Sequence, residues 1–149
     1  SEMCIRDRFR PRNIKKYKGN PTTIIYRSML ERRFMDYCDS NTAILEWWSE
    51  SLAIPYKSPI DRKWHRYFPD FWIRTEKGCT LIEVKPLSET KAPKKRLTEN
   101  LNPKAHRRYI RNVRTWGVNE AKWKAAKKVC EEKGWEWKLL TEKELNPNK

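Results

Sequence analysis

Glycine is scarce in this chain, four in 149 residues, and no Gly-rich loop is present to cradle a nucleotide phosphate. Histidine is scarcer still. His65 and His106 are too few and too scattered for a His-based metal nuclease, and H-E-x-x-H is absent. The four cysteines, Cys4, Cys38, Cys79 and Cys130, contain no C-x-x-C pair. That argues against a zinc site and against a disulfide framework, and reduced thiols in a cytosolic setting fit best. No apolar run approaches the length of a membrane span, no signal peptide is expected, and there is no internal repeat.

Aromatic residues and positive charge are abundant instead. Eight Trp, six Tyr and four Phe offer large apolar surfaces, and 149 residues suffice for one domain with a real core. The formal net charge is +15, and it is unevenly spread. Residues 1–20 carry seven Lys/Arg against two acids, and residues 91–114 carry nine against one. These two blocks hold nearly all of the excess. Acids would be interspersed if the charge served only solubility, so the blocks point to a polyanion, above all nucleic acid.

Along the chain, residues 1–8 show no periodic pattern and are set aside as a possible artefact, outside the fold. Phe9 to Asn20 reads as a basic arm, extended or ordered only on binding. Together these form an N-terminal arm, 1–20, ahead of a domain at 21–149. A helix is expected from Pro21 to about Asp39, with Ile25, Met29, Phe34 and Tyr37 or Cys38 on its apolar stripe. Strands are expected at Ala43–Trp48 and Ser51–Tyr56, then a turn at 59–63. Residues 87–103 read as a mobile basic loop. Two helices follow, Lys104–Trp116 and Asn119–Lys133. In the first, Tyr109, Ile110, Val113 and Trp116 are available for packing. Gly134 caps the second, and a last strand runs Trp135–Leu140.

The chemistry concentrates in the middle. Arg66 to Ile73 and Leu81 to Lys85 are runs of β-formers separated by the polar turn Arg74–Gly78. A hairpin of these strands brings Asp70 close to Glu83. Side chains alternate along a strand, so Glu83 and Lys85 share one face, and Ile82 and Val84 take the other. Two carboxylates and an ammonium then converge. Hard cations such as Mg²⁺ take carboxylate oxygens together with water and phosphate. A metal held there polarises a phosphate, with Lys85 as a fixed positive charge. Glu-x-Lys alone is common and usually marks only a charged strand end; coupled to Pro69-Asp70 one hairpin earlier, it is informative. Glu31, in the first helix, reads either as a solvated helix carboxylate or as a third acid reaching toward the metal or its water.

The order of Glu31 helix, Asp70 strand, Glu83-Val84-Lys85 strand, helix and strand resembles the PD-(D/E)xK nuclease superfamily. Tyr26-Arg27-Ser28 with Glu31, Ile54-Pro55-Tyr56, Arg66-Tyr67-Phe68 before Pro69-Asp70, and Ile82-Glu83-Val84-Lys85-Pro86 are similar to the head-completion nucleases of T4-like tailed phages. So are Thr115 to Asn119 and Lys122 to Ala126, as is the basic start from Pro11 to Gly19. The early part also resembles the nuclease subunit of Tn7-type transposons. The resemblance covers about Phe9 to Leu145 and implies a single α/β restriction-endonuclease-like domain with a central mixed sheet flanked by helices. It further implies a metal-dependent DNA endonuclease acting in head completion and packaging. Glu31, Asp70, Glu83 and Lys85 are its implied catalytic residues. Asp70, Glu83, the Val84 carbonyl and Glu31 are the implied ligands of Mg²⁺, with Mn²⁺ as a substitute. DNA contacts are expected from Arg27, Lys94, Lys95, Arg96, Arg107, Arg108, Arg111 and Arg114. The implied partners are double-stranded DNA and the portal or neck proteins of the phage head, in the host cytoplasm or the virion, with no membrane. A transposon-end or junction nuclease, and a virion protein that binds DNA ends without cutting, stand as alternatives.

Overall fold

The structure, a computed structural model, describes residues 7–50, 52–94 and 102–145. A short antiparallel pair, β1 (Asp7–Arg8) and β2 (Ile25–Tyr26), opens the fold. Asp7 and Arg8 are thus part of the folded domain, which corrects their exclusion; residues 1–6 lie outside the described residues. The chain continues through α1 (Met29–Ser40), β3 (Ile44–Ser49), β4 (Ile54–Lys57), β5 (Trp64–Tyr67), β6 (Phe71–Thr75) and β7 (Gly78–Val84). The last elements are α2 (Pro103–Lys133), β8 (Glu136–Leu140) and α3 (Glu142–Leu145). No helix among the described residues is long and apolar enough to cross a membrane.

The central sheet runs β3-β6-β7-β8. Its first two pairings are antiparallel, and β8 joins β7 in parallel, so the sheet is mixed. The side-chain alternation of β6 and β7 decides which helix covers which face. Phe71, Ile73, Ile82 and Val84 pack with Leu30, Phe34, Met35 and Cys38 of α1. Trp72 and Leu81 pack with Trp123, Ala126 and Cys130 of α2. Glu83 therefore shares its face with Leu81 and α2, as the strand period required. A separate two-stranded ribbon, β4 with β5, also packs against α2.

Several local expectations are corrected. The first helix starts later than Pro21, because Ser28 caps it by accepting from the Glu31 N–H at 3.2 Å; Ile25 belongs to β2 instead. The arm from Phe9 to Asn20 is anchored to the fold rather than free, although most of its side chains are exposed. Phe9 is buried, and Tyr17 meets Trp47 edge-on at 4.7 Å between ring centroids. Asp39 accepts from the backbone N–H groups of Arg12 and Asn13 at 2.9 and 3.0 Å. Lys16 donates to the carbonyls of Cys38, Asp39 and Asn41, where the α1 carbonyls and the helix dipole favour a cation.

The expected pair of later helices is one continuous helix, α2. A lone interior glycine, Gly117, costs about 1 kcal/mol and does not break it, and no proline or cap interrupts the run. Asn102 caps its start, and Gly134, at φ 71°, ends it in the left-handed conformation that glycine tolerates. Ile110 and Val113 are exposed rather than packed, and no residue of α2 before Asn119 is buried. The loop between β7 and α2 forms a 3-10 turn at Leu87–Glu89.

Candidate active site

β5 and β6 are separate strands, since Pro69 has no N–H to continue a ladder. Phe68, Pro69 and Asp70 form the step between them. Asp70 thus sits just before β6, whose Phe71 pairs with Ile82 of β7. The turn between β6 and β7 is tight, with Thr75 opposite Gly78, and Gly78 at φ 126° holds a conformation that side chains rarely adopt. This hairpin sets Asp70 against the end of β7. Asp70 Oδ2 accepts from the Val84 N–H at 2.8 Å. Glu83 is buried, and its Oε2 lies 3.9 Å from Lys85 Nζ. Its Oε1 accepts from the Tyr67 hydroxyl at 2.5 Å.

The acids oppose one another. Burial pushes the Asp70 carboxyl well above the usual aspartate range; the charges of Glu83 and Glu31 add to this, while the Val84 N–H and Lys85 offset part of it. Burial likewise raises Glu83, against the opposing pull of Tyr67, Lys85 and Lys122. Glu31 is half-buried and also raised, mainly by burial, with Glu50 adding and Arg27 and Ser28 subtracting. Its Oε1 also accepts from the Ser28 hydroxyl at 3.4 Å. Glu31 therefore belongs to the cap of α1 and is also close enough to act on Asp70.

Among the described residues, no three His, Cys, Asp or Glu side chains close into a ready metal cage. The Asp70–Glu83 set nevertheless suits a hard divalent cation, which is commonly held by one or two carboxylates with water and phosphate completing the shell. A buried aspartate whose proton affinity is raised further by the charges of Glu83 and Glu31 is a donor that a 2+ charge relieves.

Three participants are not singled out as site residues by the sequence. Tyr67 lies next to the Pro-Asp step but reads as an ordinary strand aromatic. Lys122 is contributed by α2, with Nζ 5.7 Å from the Tyr67 ring centroid and 5.8 Å from that of Tyr56. Glu50 follows β3; its N–H donates to the Asp70 carbonyl at 3.1 Å, and it adopts φ 51°, rare for a non-glycine residue. The expected DNA-contact residues are dispersed. Arg27 is in an ion pair with Glu50. Arg107, Arg108, Arg111 and Arg114 are exposed along the first half of α2, and Lys94 is exposed in the preceding loop. Lys95 and Arg96 lie outside the described residues.

Comparison with known proteins gives the chain its relatives. Residues 41–142, which carry Asp70, Glu83 and Lys85, match the family described as TnsA-like endonuclease N terminal. The chain is also 39% identical over 141 residues to the "Head completion nuclease" of Enterobacteria phage T4. That alignment covers 94% of this chain and 93% of the phage T4 protein.

Proposed function

Because the chain belongs to the head completion nuclease family, with a TnsA-like endonuclease domain on a restriction-endonuclease-like α/β fold, we propose that it is a metal-dependent DNA endonuclease of head completion. The observation that carries the chemistry is the juxtaposition of Asp70 and Glu83 across one hairpin end, beside Lys85. Asp70 and Glu83 would hold Mg²⁺ or Mn²⁺, aided by the Val84 carbonyl, with Glu31 orienting a second cation or a water. When bound, the cation would polarise the scissile phosphate and lower the pKa of the attacking water.

The chain's own groups prepare that event. The Val84 N–H fixes one oxygen of Asp70, and Tyr67 fixes one oxygen of Glu83, whose other oxygen faces Lys85. Lys85 offers positive charge against the developing phosphorane. The exposed arginines of α2 supply sequence-independent phosphate contacts. DNA presented by portal or neck proteins of the phage head is the substrate this reading favours.

The deciding assay is cleavage of linear and circular DNA with Mg²⁺, Mn²⁺ or Ca²⁺ by the intact protein and by Asp70→Ala, Glu83→Ala and Lys85→Ala. Each variant should lose cleavage and keep most DNA binding. Cleavage by Asp70→Ala at the intact rate would overturn the site. Tight binding of DNA ends by the intact protein, with no cutting under any metal, would favour a non-catalytic end-binding role.

A further inference from the structure

The β4–β5 ribbon presents a surface that the catalytic constellation does not use. Trp64 is 70% exposed, an unusual position for the largest apolar side chain. It borders a cavity of about 490 Å³ between the ribbon and α2. Trp64 gives it one exposed aromatic ring, the buried Tyr56 lies at its floor, and Ala121, Ala125 and Val129 give it an apolar wall. Lys57, Lys124 and Lys128 line it against one acid, Glu132. Arg66 lies on the same strand as Trp64 and sets its guanidinium 5.7 Å from the Phe68 ring centroid. An exposed aromatic face with a cationic border is the chemistry that stacks a base and holds its phosphate.

The cavity is coupled to the proposed site by short links. Tyr56, which lines it, lies under Lys122, whose ammonium also covers Tyr67. Tyr67 in turn holds Glu83. Trp64 and Asp70 are six residues apart on one strand and the step that follows it. That length of chain reaches at most about 20 Å.

We propose that this cavity binds an unpaired nucleotide of the DNA substrate, its base stacked on Trp64 and its phosphate held by Lys57, Lys124 and Lys128. The preferred substrate is then a duplex with a single-stranded end, fray or branch. Successive phosphates of a duplex strand are about 3.4 Å apart along the axis, so the cut falls within about six nucleotides of the duplex–single-strand boundary. This inference rests on the nuclease reading for the cutting and on the ribbon alone for the binding.

The test uses the full chain and two DNA hairpins, one blunt and one carrying a single-stranded oligo(dT) tail. Binding is measured in EDTA for the intact protein, Trp64→Ala and Trp64→Phe; cleavage is then mapped in Mg²⁺. Intact protein should prefer the tailed hairpin. Trp64→Ala should lose about ten-fold in affinity for it and less than two-fold for the blunt one, while Trp64→Phe keeps most of the preference. Equal loss on both probes would make the ribbon a duplex-backbone contact and overturn the proposal. Unchanged binding to both would leave the surface to a protein partner and overturn it equally. If the intact protein shows the binding preference but cuts neither probe, the nuclease reading fails and the stacking site stands. If it cuts both probes alike without that preference, the stacking site fails and the nuclease stands.

Discussion

The Val84 N–H donates to Asp70 Oδ2 over 2.8 Å, so the first carboxylate is anchored on the backbone of the strand that carries the second. The hydrogen bond needs no further side chain. It follows from the β6–β7 register, and it places Asp70 where Glu83 and Glu31 act on its charge.

That placement makes the metal-free protein sensitive to pH. Asp70, Glu83 and Glu31 all have raised pKa values in the folded state. Their contribution to stability is fully present below the unfolded carboxylate range of about pH 4 and is lost as pH rises through the raised values. Asp70→Asn removes one of the opposed charges and keeps an oxygen for the Val84 N–H. In EDTA its Tm should exceed that of the intact protein by a few degrees at neutral pH, with the gap closing as pH falls toward 4. A constant gap, or none, would show that Asp70 is not opposed by its neighbours.

Tyr67→Phe keeps the ring in its packing and removes only the hydroxyl that Glu83 accepts from. Losing a buried hydrogen bond to a charged group should cost about 1.5–3 kcal/mol in a melt or denaturant titration. Glu83 then loses its fixed orientation, so half-maximal cleavage should need more Mg²⁺, with a smaller loss at saturating metal. Superimposable melts and Mg²⁺ titrations would remove Tyr67 from the site.

Arg107, Arg108, Arg111 and Arg114 are exposed on a half-helix with no buried residue, so replacing them with Gln should leave the melt nearly unchanged. Duplex affinity should fall evenly across sequences. For every DNA phosphate that is no longer neutralised, the slope of log affinity against log salt should become shallower by about 0.9. An unchanged slope would assign the helix to another partner.

The N-terminal segment should behave as structure rather than as a detachable arm. Phe9→Ala removes a buried ring of the α1-side core and should cost about 3–5 kcal/mol. Deleting residues 1–20 also strips the partners of Asp39 and the Lys16 cap of α1, so the truncated chain should unfold at moderate temperature. A truncation that melts within a few degrees of the intact protein would restore the mobile-arm reading.

Sequence periodicity determined much here. The β-rich runs around Pro69-Asp70 and Glu83-Val84-Lys85, with a polar turn ending in Gly78, determined a hairpin whose end gathers two acids. Alternation determined that Ile82 and Val84 face one core while Glu83 faces the other. These are local properties, set within a dozen or so residues by strand period and turn chemistry. Arg12, Lys16 and Phe9 read as a free basic arm because a charge run looks alike whether it caps a distant helix or awaits a polyanion. The two helices expected at Lys104–Trp116 and Asn119–Lys133 are one because a single interior glycine, Gly117, costs a helix too little to end it. Tyr67, Lys122 and Glu50 reached the site only through tertiary structure. Strand β5 of the ribbon, helix α2 and the end of β3 in the central sheet meet there, and contacts between elements far apart in sequence leave no period to read.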